Sequence, residues 1–157
     1  MKVFMAGSKH LTTLDVAVTE RMFSICSKGF DVLIGDCSGI DAAVQKFFSD
    51  LNYQKVTIYA SNGKARHNIG NWPIHKVSVP PYMRGFDYYR QKDIAMANDA
   101  NYGFMIWDGQ SRGTRCNIEN LLSQSKPVLV YLYPVKKRIW LKTREDFANM
   151  TDDLAFD

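Results

Sequence analysis

Residues 31 to 51 read DVLIGDCSGIDAAVQKFFSDL, and this stretch decides the fold. Asp31 to Ile34 is a short apolar run without polar alternation, the pattern of a strand buried on both faces. Gly35-Asp36-Cys37-Ser38-Gly39 is a turn rich in small residues. From Ile40 to Leu51, Ala43, Val44, Phe47 and Phe48 recur at helical spacing on one side.

The same strand, turn and helix unit recurs along the chain. Lys2 to Ala6 is a strand ending at Gly7, and Leu14 to Ser27 is a helix with Leu14, Val18, Met22, Phe23 and Cys26 inward and Thr12, Thr13 or Asp15 available as caps. Lys55 to Ala60 is a third strand. Ser61 to Tyr82 loses periodicity and gathers Gly63, Gly70, Pro73, Pro80 and Pro81, with room for one short strand at Lys76 to Val79. A helix from about Phe86 to Asn98, a strand Tyr102 to Trp107, a helix Thr114 to Ser123 and a strand Pro127 to Tyr133 follow. Pro134 to Asp157 holds one further strand, Arg138 to Leu141, and an acidic end read as an edge element or tail. Unalternated strands between amphipathic helices require a mainly parallel sheet covered on both faces, a Rossmann-like, doubly wound α/β fold. The expected division is a Rossmann-like domain over 1–133 and an extension over 134–157 that packs on it or trails from it.

Composition narrows the function classes. The 157 residues are 46% hydrophobic and 23% charged, as in an ordinary globular protein. Cys26, Cys37 and Cys116 form no CxxC pair and no zinc spacing, so a reducing cytoplasmic setting is expected, without a metal. No apolar stretch approaches the roughly 20 residues that cross a bilayer, and MKVFMAGSKH is too weakly apolar for a signal peptide. The net charge of +4 is small and the clearest basic cluster is Lys136-Lys137-Arg138, which argues against nucleic acid as the partner. Tyr, Phe and Met suffice for an apolar interface between copies, through the Phe86 to Met96 helix or the tail, and a homo-oligomer is expected.

In a doubly wound sheet the ligand crevice lies beyond the carboxyl ends of the strands. Three turns there are built for an anion: Ala6-Gly7-Ser8, Gly35 to Asp41, and Asp108-Gly109-Gln110-Ser111-Arg112-Gly113-Thr114. Each opens onto a helix amino terminus, where free N–H groups and the helix dipole favour negative charge and glycine permits close approach. None matches GxGxxG or GxxxxGK[ST], so no dinucleotide cofactor is expected. Asp36, Asp41 and Asp108 are placed to accept hydrogen bonds from ribose hydroxyls or a base. Lys64, Arg66, His67, Asn68, Trp72 and His75 give the long loop the composition of a lid, with a plane for stacking.

The Val32 to Asp41 turn, with its Gly-x-x-x-Gly-Ile-Asp spacing, and the Asp108 to Thr114 turn followed by Lys126-Pro127-Val128 resemble the SLOG superfamily. That group of Rossmann-like proteins includes the LOG phosphoribohydrolases and DNA-processing protein A. The second half is also similar to nucleoside 2-deoxyribosyltransferases. The resemblance implies that Gly113-Thr114 binds a phosphate, that the following helix presents a residue to the sugar, and that Arg90 reaches the ligand, where a guanidinium grips phosphate in two-pronged fashion. The enzymes of both groups carry a glutamate three residues after the Thr. This chain has Asn117, and an amide does not replace a carboxylate nucleophile. Glu119 lies some 200° further round the helix and four residues after Arg115, as a surface ion pair would.

The expected ligand set is Gly7, Ser8, Gly35, Asp36, Ser38, Gly39, Asp41, Arg90, Asp108, Gly109, Ser111, Gly113, Thr114 and Asn117. The expected role is binding or sensing a phosphate-bearing nucleotide or a molecule derived from one. An N-glycosidase or deoxyribosyltransferase-like enzyme, using Asp108 or Asp36 as the carboxylate, is the first alternative. A single-stranded nucleic-acid binder is the second.

Overall fold

A computed structural model describes residues 1–155; Phe156 and Asp157, the end of the expected extension, lie outside the described residues. Seven strands form one sheet: β1 (Lys2–Gly7), β2 (Asp31–Ile34), β3 (Val56–Ser61), β4 (Ile74–Val77), β5 (Tyr102–Trp107), β6 (Val128–Leu132) and β7 (Lys137–Leu141). Their order is β4-β3-β2-β1-β5-β6-β7, parallel except for β7, which runs antiparallel to β6. The chain winds outward from β1 to β4, then returns to place β5 on the other side of β1. The order therefore reverses between β1 and β5, where a doubly wound sheet opens its crevice.

The helices α1 (Val16–Ser27) and α2 (Ile40–Asp50) cover one face with Val18, Met22, Ile25, Val44 and Phe48. The other face is covered by α3 (Gly85–Asp99), α4 (Arg112–Ser123) and α5 (Arg144–Ala155), through Met96, Ala97, Ile118, Leu121, Phe147 and Met150. Strands β5 and β6 are buried along their whole length, as two covered faces demand. No described helix is long and apolar enough to cross a membrane.

Three expectations need correction. The short strand of the long loop is Ile74–Val77, fixed by pairing with β3 from Ile58 to Ser61. Phe23 is exposed on α1, because Ile25 turns inward with Val18 and Met22; Phe23 instead meets the Phe47 ring edge-on at 5.0 Å. The acidic end is helix α5. Its start is a capping box: the Asp146 carboxylate accepts from the Thr143 and Lys142 amides at 3.1 and 2.9 Å, and Thr143 Oγ1 accepts from the Asp146 amide at 3.1 Å. Phe147, Met150 and Leu154 then recur at helical spacing, and burying the first two is worth roughly 2 kcal/mol each. Thr143-x-x-Asp146 was the signal in the sequence.

Candidate functional site

The three turns meet at Ser8. Its amide donates to the Ile106 carbonyl at 3.1 Å and its carbonyl accepts from the Ile40 amide at 3.4 Å, which ties the β1 turn to β5 and to the start of α2. Ser8 Oγ lies 2.7 Å from Ser111 Oγ and accepts from the Asp108 amide at 3.1 Å. Gly7 and Gly39 permit this closeness. A Cβ on Gly7 would stand 2.5 Å from the Ile106 oxygen, and one on Gly39, at φ +74°, 2.2 Å from the Lys9 oxygen.

Asp108 builds the third turn. Its Oδ1 accepts from the Gln110 and Ser111 amides, both at 2.8 Å, and lies 3.2 Å from Ser111 Oγ. Burial disfavours its charge, yet the Ser111 and Gln110 amides outweigh burial and hold the carboxyl below the ordinary range. Ser111 is the residue before α4, but its hydroxyl faces Ser8, Asp108 and, at 3.3 Å, Thr114 Oγ1, so it caps no amide. The first intrahelical bond is from Arg115 to the Ser111 carbonyl at 3.2 Å. Arg112, Gly113 and Thr114 thus start the helix without intrahelical acceptors. Space beyond Gly113 is open: a Cβ there would meet nothing within 4 Å.

Behind the turns lies a buried polar floor. Lys92 of α3, its side chain 6% exposed, places Nζ 3.3 Å from Asp93 Oδ1 and 4.0 Å from Asp36 Oδ1. Burial pulls the ammonium down, but Asp93, Asp41 and Asp36 overcome it and raise its pKa. Gly35 makes room for this group, since its Cβ would meet Asp41 Oδ2 at 2.7 Å and Lys92 Nζ at 3.1 Å. Asn117 donates Nδ2 to Asp93 Oδ2 at 3.3 Å, while its Oδ1 is buried without a partner among the described residues. Lys92 stands four residues before Met96 and belongs with it to the inward stripe of α3.

Burial pushes the Asp41 carboxyl up to about 7, against the pull of Lys92, and its Oδ2 accepts from the Cys37 amide at 3.1 Å. A carboxyl that binds its proton more tightly folded than unfolded contributes stability at low pH, lost as pH climbs from its unfolded value of 3.8 through about 7. Asp36 and Asp108, held below the ordinary range, act with opposite sign only at lower pH. We expect urea midpoints to fall across the window from about pH 4 to about pH 7, and Asp41→Asn to flatten that fall. An unchanged slope in the variant would remove Asp41 from the account.

The long loop is stapled over this floor. Arg66 grips Asp36 with Nη2 to Oδ1 at 3.0 Å and Nε to Oδ2 at 3.2 Å, and its amide adds a third bond at 2.9 Å. Burial raises the Asp36 pKa, but Arg66 dominates and the carboxyl stays below its usual range. His67 Nδ1 lies 2.9 Å from the Asp36 carbonyl. Gln45, which the sequence reading overlooked, donates to the Gly35 and His67 carbonyls at 2.9 and 3.1 Å and accepts from the Ile69 amide at 3.0 Å. Asp41, Val44, Gln45 and Phe48 form the inward stripe of α2, which was the available signal.

Other residues of the loop go elsewhere. Trp72 is buried with Nε1 donating to the Tyr53 carbonyl at 2.8 Å, so it is no stacking plane, and His75 stacks on Tyr59 at 4.4 Å. The rim carries Arg66 over the Tyr89 ring at 4.7 Å and Arg112 over Phe86 at 4.0 Å, with Tyr82 78% exposed. Of the expected ligand set, Gly7, Ser8, Gly39, Asp108, Ser111, Gly113 and Thr114 come together around the turns, and Gly35, Asp36, Asp41 and Asn117 form the floor. Ser38 sits on the exposed part of the β2 turn and Gly109 on the β5 turn. Arg90 stands apart, in a groove between α3 and α4.

No family model matches the chain, and the search of curated proteins finds no match. Among solved structures the chain is similar to DNA processing protein A from Helicobacter pylori, a protein with a distinctive single-stranded DNA binding mode. The two share 12% identity at a TM-score of 0.62, over 83% of this chain and 64% of that one. The chain thus spans under two thirds of that protein's length. The likeness is one of fold.

Proposed function

We propose that this protein binds a phosphate-bearing nucleotide, or a small molecule derived from one, where β1 and β5 part, as a binding protein or sensor. The observation that carries this reading is the trio of amides at Arg112, Gly113 and Thr114, which have no acceptor among the described residues and are joined through Ser8 to the other two turns. Backbone donors at a helix start, with the dipole behind them, suit a phosphate. Binding is favoured over glycosidic cleavage because the carboxylates are engaged. Both oxygens of Asp36 are held by Arg66, Asp108 Oδ1 holds its own turn, and Asp93 is tied to Lys92 and Asn117.

Gly113→Asp separates binding from folding. Its Cβ has room, and an acidic residue replacing glycine in the first helical turn favours the helix, so unfolding of the free variant should be unchanged or slightly harder. The added charge lies where the phosphate would. For the wild type, nucleotides, ADP-ribose derivatives or cyclic nucleotides at a hundredfold excess over Kd should add about 2.7 kcal/mol, read as a rise in melting temperature of several degrees. Gly113→Asp should lose that rise. If no phosphate-bearing compound shifts the wild type, or the variant responds as the wild type does, the reading fails.

A second reading is favoured by the rim: Arg66 on Tyr89 and Arg112 on Phe86 offer cations and rings of the kind on which single-stranded bases stack. The fold shared with DNA processing protein A supports it, against the small net charge. Oligonucleotide binding that falls steeply with salt, alongside weak mononucleotide binding, would favour this reading.

A further inference from the structure

We infer that the groove between α3 and α4 is a second, separate site, in which Arg90 and Arg144 hold the oxyanion of a small phosphate or carboxylate ligand. The groove is open to solvent, offers about 290 Å³ and shares none of its other lining residues with the three turns or the buried floor. Arg90 enters it from α3 and Arg144 from the start of α5. Nη1 of Arg90 is buried and has no hydrogen-bond partner among the described residues. A guanidinium is a donor without an acceptor face, so a buried, unmatched donor on it calls for an acceptor that the described residues do not supply.

The rest of the lining agrees. The acid in the groove, Glu119, is paired with Arg115 at 3.1 Å, so Arg90, Arg144 and Arg115 against Glu119 leave the lining positive. Asn120 accepts from Gln124 at 3.1 Å and from Ser123 through its carbonyl at 2.6 Å, which leaves its Nδ2 as a further donor toward the groove's contents. Ile94 and Cys116 supply an apolar wall, and the volume admits more than a bare ion. Donors and positive charge around a partly apolar hollow select an organic acid or a phosphate ester. The site would work independently of the nucleotide proposed above.

The test is a titration of the full chain, labelled at arginine, with inorganic phosphate and, separately, with malonate, following the Arg90 and Arg144 Nε–Hε resonances. Saturable movement of both with phosphate alone identifies a phosphate site, and with malonate alone a carboxylate site. Arg90→Gln and Arg144→Gln should each weaken binding by roughly tenfold or more, as loss of charged hydrogen bonds does. Arg90→Lys, which keeps the charge without the fork, should restore only part, and Gly113→Asp should leave the titration intact. The proposal is overturned if neither anion moves the Arg90 resonance, if Arg90→Gln and Arg144→Gln titrate as the wild type, or if Gly113→Asp abolishes the response. Because the two sites have separate variants, failure here leaves the nucleotide reading standing, and the reverse also holds.

Discussion

Replacing Lys92 by methionine should cost about 3–5 kcal/mol of folding stability near neutral pH, the usual consequence of leaving buried charges without their partner. Methionine keeps the length and the apolar stem, so the lost quantity is the ammonium itself. Among the described residues that group is the one cation buried among Asp36, Asp41 and Asp93; Arg66, which also serves Asp36, reaches in from the surface. Without Lys92 the Asp41 carboxyl favours its protonated form more strongly. Folding then draws on protons that become scarce as pH rises, so the penalty should be larger at about pH 8 than at about pH 5. Urea unfolding at both pH values measures it. Adding Asp41→Asn to Lys92→Met should recover part of the loss at the higher pH, a coupling that independent sites would not show. A penalty below about 1 kcal/mol at pH 8 would mean that water reaches the cluster and the floor is not a buried network.

Gly39→Ala should be nearly as damaging, on the order of 3 kcal/mol, and should also abolish ligand binding. Two effects add. At φ +74° and ψ −128° the backbone is in a region that residues with a Cβ rarely adopt, and that Cβ would stand 2.2 Å from the Lys9 carbonyl oxygen. The obstacle is backbone, so no side-chain rotation relieves it. The β1 and β2 turns must separate, and with them the link from Ser8 to the Ile40 amide. Gly113→Ala is the natural control, because the same methyl meets nothing there. Chemical denaturation of both variants decides: equal stabilities would show that the turns are not pressed together as described.

The expected turns and the buried floor differ in how far they could be read. Gly7-Ser8, Gly35 to Asp41 and Asp108 to Thr114 were legible because small residues at a strand end followed by a helical stripe leave a local signature. Lys92 and Gln45 of the floor were not, because polar residues on inward stripes look like ordinary surface positions until a partner is known. Arg90 and Lys92 lie two residues apart on α3, and nothing in Tyr88-Tyr89-Arg90-Gln91-Lys92 says which one turns toward Asp36 and Asp41. Asp36 is held by Arg66, which lies thirty residues on, in a stretch without periodicity.

By itself the sequence determined the units of this protein, which are unalternated strands, small-residue turns and amphipathic helices, and so the mainly parallel, doubly wound sheet. These follow from patterns that repeat within a few residues and from the need to cover both faces of each strand. Only the tertiary structure decided that the turns are linked through Ser8, that Lys92 is buried among three carboxylates, and that Arg90 faces a different groove. Each of those depends on which distant segments the packing brings within hydrogen-bond range. A charge goes inside only where other elements bring it partners, and no local pattern records them.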